Sequence, residues 1–167
     1  MLVTQTSNEE RIVLEIINEK IKSFAVSMYV YIEEQIERSF TNIDKILQFA
    51  KGYRILIEAD RNSRFKTWHD KITNSRGKLL EEYLSSRHFH IINVQSEMCT
   101  FQNGRGSSKI DVTITNNNII ADVHEWELRE KGSCSEHNYF KYKIGKANKY
   151  KNKYNYQGII YVVNEEK

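Results

Sequence analysis

Ser107-Ser108-Lys109-Ile110-Asp111-Val112-Thr113 sets a carboxylate inside an apolar strand: KIDVTIT (109–115) reads as a strand, with Asp111 between Ile110 and Val112. A carboxylate in that setting needs a partner if it is buried. Downstream, Ser135-Glu136-His137 stands just ahead of the strand YFKYKI (139–144). If the two strands are neighbours, the His137 imidazole reaches Asp111, which would fix its tautomer and raise its basicity. On sequence statistics alone the commoner reading of His137 is a surface loop histidine. Upstream, YRILIEA (53–59) reads as a buried strand, and Asp60-Arg61-Asn62 follows it directly. Side chains at the carboxyl end of such a strand project into the crevice where α/β sheets often hold ligands. A carboxylate and a carboxamide at i and i+2 can hold a water molecule together, one taking its proton and the other orienting it. The same D-x-N spacing is also common in ordinary turns.

The rest of the chain supplies a frame for these three pieces. RIVLEII (11–17) and IKSFAVSMYV (21–30) alternate apolar and polar residues around Asn18, Glu19 and Lys20, which predicts a β-hairpin. From Ile32 the spacing changes to Ile32, Ile36, Phe40, Ile43, Leu47 and Ala50, a helical stripe closed by Lys51-Gly52. A second helix is expected over RGKLLEEYLSS (76–86), with Leu79, Leu80, Tyr83 and Leu84 on one face. Beyond it the chain is strand-rich, with FHIINV (89–94), CTF (99–101), NIIADV (118–123) and HEWEL (124–128) joining the strands already named. Mixed strands and flanking helices imply layered sheets. The apolar GIIYVV (158–163) reads as a final short strand.

The 167 residues carry 25 basic and 22 acidic side chains, a net charge of +3, and are 40% hydrophobic and 11% aromatic. That composition belongs to one folded domain rather than a disordered chain. The five lysines and two glutamates of residues 145–167 account for the whole excess, so the basic part is the tail. No stretch approaches the roughly 20 apolar residues of a spanning helix. MLVTQTSNEER (1–11) lacks a basic region followed by an apolar one, so membrane insertion and classical secretion are disfavoured. Cys99 and Cys134 form neither a disulfide framework nor a C-x-x-C zinc spacing, and a reducing compartment, cytosol or nucleus, is expected. Proline is absent while Asn, Lys, Ile and Tyr abound, which reads as codon bias.

Three further features carry less. His88 and His90 would share a strand face, but no third ligand stands at recognisable spacing, and solvated strand histidines are the simpler reading. Asn103-Gly104-Arg105-Gly106-Ser107 fits a phosphate cradle or a plain hairpin loop, and the loop is favoured by its place between two strands. GKANKYKNKYNY (145–156), which interleaves lysine with tyrosine, is either a connector or a surface that stacks on bases and meets phosphates.

In this order the pieces resemble the endonuclease domain of non-LTR (LINE-type) retrotransposons. That domain is a branch of the exonuclease–endonuclease–phosphatase superfamily, which includes apurinic endonucleases and DNase I. The branch shows an apolar strand, G-D-x-N-A, a tryptophan, an N-x-R-G helix start, a T-F pair, S-S-x-I-D-V-T, a tryptophan strand and S-D-H. Here ILIEADRNS, Trp68, TNSRGKLLEEYL, Thr100-Phe101, SSKIDVTI, HEWEL and SEH stand in the same order, within a match from about residue 10 to residue 144.

The resemblance implies an α+β, DNase I-like four-layer sandwich of two mixed sheets flanked by helices, lacking its N-terminal part. It assigns residues 1–144 to that domain and 145–167 to a basic tail like the linker towards a reverse transcriptase. Carried over by residue, it makes Asp60 the activator of the attacking water and Asn62 its orienting partner. His137 would touch the scissile phosphate, Asp111 would orient that histidine, and Tyr29, in SFAVSMYV (23–30), would line the site. Glu136 stands where the family has an aspartate, and is the metal-site candidate. The implied cofactor is Mg2+ (or Mn2+) and the implied partner is DNA, contacted by Arg105, Ser107 and Ser108 and by Lys146, Lys149 and Lys151 of the tail.

Some positions depart from the pattern. Ala59 replaces glycine, Arg61 replaces an aromatic residue, and Glu136 carries one more methylene than aspartate. The family's first-strand asparagine and metal-binding glutamate fall ahead of the match, and Glu15, in VLEII, has the wrong context. Two functions are therefore expected as alternatives: single-strand nicking of DNA by Mg-dependent hydrolysis, or salt-sensitive DNA binding by an inactive remnant. Divalent-metal dependence separates them. A phosphomonoesterase or phospholipase is set aside, because SSKIDVTI followed by tryptophan belongs to the retrotransposon branch. Strands that have lost partners would expose an edge, favouring association or marginal stability.

Overall fold

The computed structural model describes residues 1–18, 21–130 and 135–145. Within them, the alternating segments β1 (Arg11–Asn18) and β2 (Ile21–Tyr29) form the expected antiparallel hairpin, with Val13 opposite Val26. Helix α1 (Ile36–Phe49) then crosses over, which lets β3 (Arg54–Asp60) pair parallel to β2. The helix buries Ile36, Ser39, Ile43 and Ile46, and Gly52 beyond its end takes φ +83°, a conformation that costs glycine little. Ile32 lies ahead of the helix and is exposed, so the apolar stripe begins one turn later than its spacing predicted.

Helix α2 (Ser75–Ser86) is capped by the Asn74 side chain, whose Oδ1 accepts from Gly77 N at 2.8 Å and from Arg64 N at 3.1 Å. A Cβ at Gly77 would lie 2.1 Å from the Arg64 carbonyl oxygen, so only glycine lets the helix start this close to the loop after β3. The short strands β4 (His90–Ile91), β5 (Phe101–Asn103) and β6 (Gly106–Ser108) follow, then β7 (Asp111–Thr115), β8 (Val123–Arg129) and β9 (Tyr139–Ile144).

Among the described residues the strands make one five-stranded sheet, ordered β1-β2-β3-β7-β4, and two hairpins, β5-β6 and β8-β9. Both helices pack on one face of the large sheet, against Phe24, Val26, Ile55, Ile57, Val112 and Ile114. On the other face β8 and β9 cover β3 and β7, enclosing Leu56, Leu128, Phe140 and Tyr142. Helices, large sheet and covering hairpin are thus three successive layers.

Two expected strands differ. FHIINV forms strand with β7 at His90 and Ile91 and adds one bond from Ile92 N to Thr113 O at 3.0 Å, after which the Asn93 carboxamide takes over the ladder, donating to Asp111 O at 3.1 Å and accepting from Thr113 N at 2.7 Å. NIIADV is a 3-10 turn at Ile120–Asp122 that buries Ile119 and holds Asp122 2.6 Å from Arg54, with only Val123 joining β8. His88 has φ +56° and lies outside β4, so it does not share a strand face with His90. Residues 1–8 run along the outer edge of β1, with Val3 N donating to Val13 O and Glu15 N to Met1 O, both at 2.8 Å. The anticipated open edge is therefore covered there. What stays exposed is a face, carrying Ile12, Leu14, Ile16 and Ile21. GIIYVV lies outside the described residues.

Candidate active site

The register of the large sheet assembles the site. Tyr29 on β2 stands opposite Asp60 on β3, and Asp60 stands opposite Asp111 on β7, so three residues far apart in sequence form one row. Side chains on adjacent strands at opposed positions share a face, and this row opens on the face away from the helices. His137 enters from the stretch before β9, which runs beside β5 through the Phe101–His137 bridge. The histidine is buried, 8% exposed, and so is not the surface loop residue that sequence statistics favoured.

His137 Nδ1 lies 3.0 and 3.1 Å from the two Asp111 oxygens, and Nε2 lies 3.6 Å from Asp60 Oδ2. An ionised carboxylate can only accept, so Nδ1 carries the proton in that contact and Nε2 is turned to Asp60. Asp60 Oδ1 accepts from Asn62 N at 3.1 Å, which makes the D-x-N segment an Asx turn as well as a site. Asn62 adopts φ +49°, and its Nδ2 donates to Val30 O at 3.0 Å, fixing the carboxamide beside the crevice. Burial, with Asp111 adjacent, pushes the Asp60 carboxyl up to about 7, against the opposing pull of His137. Its proton affinity is thereby placed near neutrality.

Asp60 and His137 open into a pocket of about 310 Å3, bordered by Tyr29, Ile32, Asn62, Arg64, Phe101 and Ser108. Sequence reasoning passed over Arg64, whose only signal was a cation a few residues past the strand end. Its guanidinium pairs with Asp70 at 2.9 Å, and Asp70 Oδ2 also accepts from Lys109 N at 2.8 Å, tying the pocket wall to the SSK segment. Arg76, present in the N-x-R-G helix start, donates to the carbonyls of Tyr31, Ile32, Glu34 and Arg61 and holds the loop that carries Ile32.

Two residues behind the row lies a second buried acid. Glu58 Oε2 accepts from Thr113 Oγ1 at 2.8 Å, and Trp126 Nε1 donates to the same hydroxyl at 2.8 Å. Burial holds the Glu58 carboxyl well above the usual carboxylate range despite its Thr113 contact. Arg61 points the other way, into the helix-covered core, where Nη1 donates to Ser39 Oγ at 2.5 Å and burial lowers the guanidinium to about 10. The site side of β3 is thus acidic and its core side holds a buried cation.

The remaining candidates are placed as follows. Ser108 borders the pocket, Ser107 pairs with Gln102 in the β5-β6 hairpin, and Arg105 is exposed in its turn, so the glycine-containing segment is the plain hairpin favoured above. Glu136 directs its carboxylate to Asn103, accepting from Nδ2 at 3.1 Å. Among the described residues the group able to share a cation is Asp60, Asp111 and His137, whose ligand atoms lie within 4.8 Å of one another. Lys146, Lys149 and Lys151 lie outside the described residues, as does Cys134; Cys99 is a free thiol. Among the described residues no helix is long and apolar enough to cross a membrane.

The architecture is that of the DNase I-like nucleases. The endonuclease domain of TRAS1, a telomere-specific non-LTR retrotransposon, superposes with a TM-score of 0.75 at 24% identity, over 83% of this chain and 63% of that one. The AP endonuclease LMAP from Leishmania major superposes with a TM-score of 0.62 at 8% identity, over 77% of this chain and 52% of its own. The profile of the endonuclease–reverse transcriptase family matches residues 24–141, and the chain belongs to that family. Curated relatives include the Retrovirus-related Pol polyprotein from type-1 retrotransposable element R1 of Bradysia coprophila, 28% identical over 139 residues. Another is the Putative 115 kDa protein in type-1 retrotransposable element R1DM of Drosophila melanogaster, 27% identical over 124 residues. The chain spans 14% and 12% of those two relatives, with 74% and 69% of its own length matched.

Proposed function

We propose that this chain is the endonuclease portion of a non-LTR retrotransposon protein and hydrolyses DNA phosphodiesters, nicking one strand in a divalent-metal-dependent reaction. The observation that carries the reading is the line Asp111–His137–Asp60, whose His137 and Asp60 line a solvent-reached pocket. Asp60 takes the proton of the attacking water, a role suited by a carboxyl whose proton affinity lies near neutral pH. Asn62 holds that water through its carboxamide, oriented by the Val30 carbonyl. His137, held by Asp111 through Nδ1, donates from Nε2 to a non-bridging oxygen of the scissile phosphate when the ring carries both protons. Tyr29 lines the approach from β2, and Arg64 at the pocket wall offers a cation to the backbone.

The two carboxylates facing one space suit a hard divalent cation. Mg2+ or Mn2+ held beside Asp60 and Asp111 would supply charge neutralisation of the phosphate and of the leaving 3′ oxygen, and would lower the Asp60 proton affinity from its metal-free level. An intracellular location, cytoplasm or nucleus, goes with this reading and with the absence of a disulfide framework. A reverse transcriptase elsewhere in the parent element fits the Pol polyprotein relatives.

Conversion of supercoiled plasmid to open circle, with Mg2+ and with EDTA, tests the reading. Asp60→Ala and His137→Ala are each expected to lower nicking by at least about 10³-fold with an unchanged circular dichroism spectrum, since both side chains act on the reacting atoms. Nicking that survives either change removes the assignment. A folded protein that binds DNA in a salt-sensitive way and never nicks it is the binding remnant instead.

A further inference from the structure

Glu136 precedes His137 and yet takes no part in the cluster of Asp60, Asp111 and His137. Its surroundings give it other work. The backbone of 136–138 lies against the β5 side of the hairpin: Gln102 N donates to Glu136 O at 2.9 Å, and Asn138 N donates to Thr100 O at 2.8 Å. Phe101 and His137 face each other between those bonds, ring centroids 5.0 Å apart. At the far end Asn103 reaches back with one carboxamide serving two sides. Its Oδ1 accepts from Arg105 N at 2.9 Å and Gly106 N at 3.2 Å, closing the hairpin turn, while Nδ2 donates to Glu136 Oε2 at 3.1 Å.

We infer that Glu136 is a positioning residue: by holding Asn103 it clamps the segment before β9 to the β5-β6 turn and so sets where the His137 imidazole sits between Asp111 and Asp60. The inference rests on the site proposed above for its consequence in catalysis, but the clamp itself is a matter of this chain's geometry. At the bend that leads into the Phe101–His137 bridge, Glu136 turns to the hairpin while His137 turns to the carboxylates. A displacement of the neighbouring peptide by a fraction of an ångström changes an Nδ1–carboxylate contact now at 3.0 Å, and sites of this kind lose rate steeply with such displacement. Glutamate reaches the turn where a shorter acid in the same backbone position falls one methylene short.

The test reverses the polarity of the clamp and reads His137 directly. The 167-residue protein, labelled with 15N-histidine, is compared with E136Q, E136A, N103D and the double variant N103D/E136Q. A glutamine oxygen still accepts from Asn103 Nδ2, so E136Q should leave the His137 ring resonances and Mg-dependent nicking unchanged. N103D keeps the acceptor that closes the turn but sets two carboxylates against each other. It should shift the His137 resonances, broaden the Nδ1–H signal and lower nicking about 10-fold. E136A removes the acceptor while leaving the turn's own bonds intact, and should do the same. The double variant restores a hydrogen bond in the opposite sense and should restore both readouts.

His137 resonances unmoved in both N103D and E136A overturn the inference, as does a double variant no better than N103D. Loss of Mg2+ binding in E136Q with the His137 signals in place also overturns it, because the carboxylate would then meet the metal itself. A wild-type chain without nicking removes the functional reading alone, since the histidine spectrum still reports the clamp.

Discussion

The two faces of the five-stranded sheet are built on opposite principles. Towards the helices, Val13, Phe24, Val26, Ile57, Val112 and Ile114 make a continuous apolar layer, each at most 2% exposed. Towards the other side the same strands present Glu58, Asp60 and Asp111 under a hairpin at β3 and β7, and bare aliphatics at β1. The first face lowers free energy by removing hydrocarbon from water. The second keeps buried ionisable groups that stability alone would not select. The contrast separates what holds the chain together from the site on which the proposed function rests.

That contrast breaks most easily at Gly77, on the helix side. Gly77→Ala forces a methyl into the Arg64 carbonyl, and a loss of about 3 kcal/mol or more is expected in urea unfolding, with nicking falling as the Arg64 loop moves. A loss below about 1 kcal/mol would mean that helix and loop are not in the close contact described.

Asp60 tests the other side with the opposite sign. Its folded-state proton affinity is raised from the ordinary carboxylate value to about 7, so between about pH 4 and 7 the folded chain binds more protons than the unfolded one. In EDTA, stability should therefore fall as pH rises through that window. Asp60→Asn should be more stable than the parent chain by on the order of 1–3 kcal/mol at pH 8, with the gain vanishing near pH 4. Equal stability at both pH values would show that the carboxylate is not under strain.

The smallest effect is expected on the bare aliphatic face. Leu14 is 38% exposed, and Leu14→Gln should change stability by no more than about 0.5 kcal/mol. A cost of several kcal/mol in thermal or urea unfolding would reveal that something covers this face in solution.

Much of this was legible one residue at a time. Alternation in RIVLEII and IKSFAVSMYV predicted a hairpin that forms with the pairing Val13–Val26, and the run ILIEA predicted a strand buried along nearly all its length. Periodicity failed where local hydrogen bonds replaced the strand ladder. Asn93 terminates the ladder of FHIINV with its own carboxamide, and NIIADV, apolar enough for a strand, curls because Asn116 O accepts from both Ile119 N and Ile120 N. Neither substitution has a signature in hydrophobic spacing.

The sequence by itself determined which side chains are present and which short segments are extended or helical, because those depend on local pattern and on residue chemistry. It also carried the ordered pieces around Asp60, Asp111 and His137 that mark the family. Only the tertiary structure decided that Tyr29, Asp60 and Asp111 fall in one row, since register between strands up to 82 positions apart is a property of the whole sheet. It alone turned His137 inward and Glu136 towards the β5-β6 turn, and it made the Asp60 carboxyl a near-neutral acid, because burial and a neighbouring charge exist only after folding.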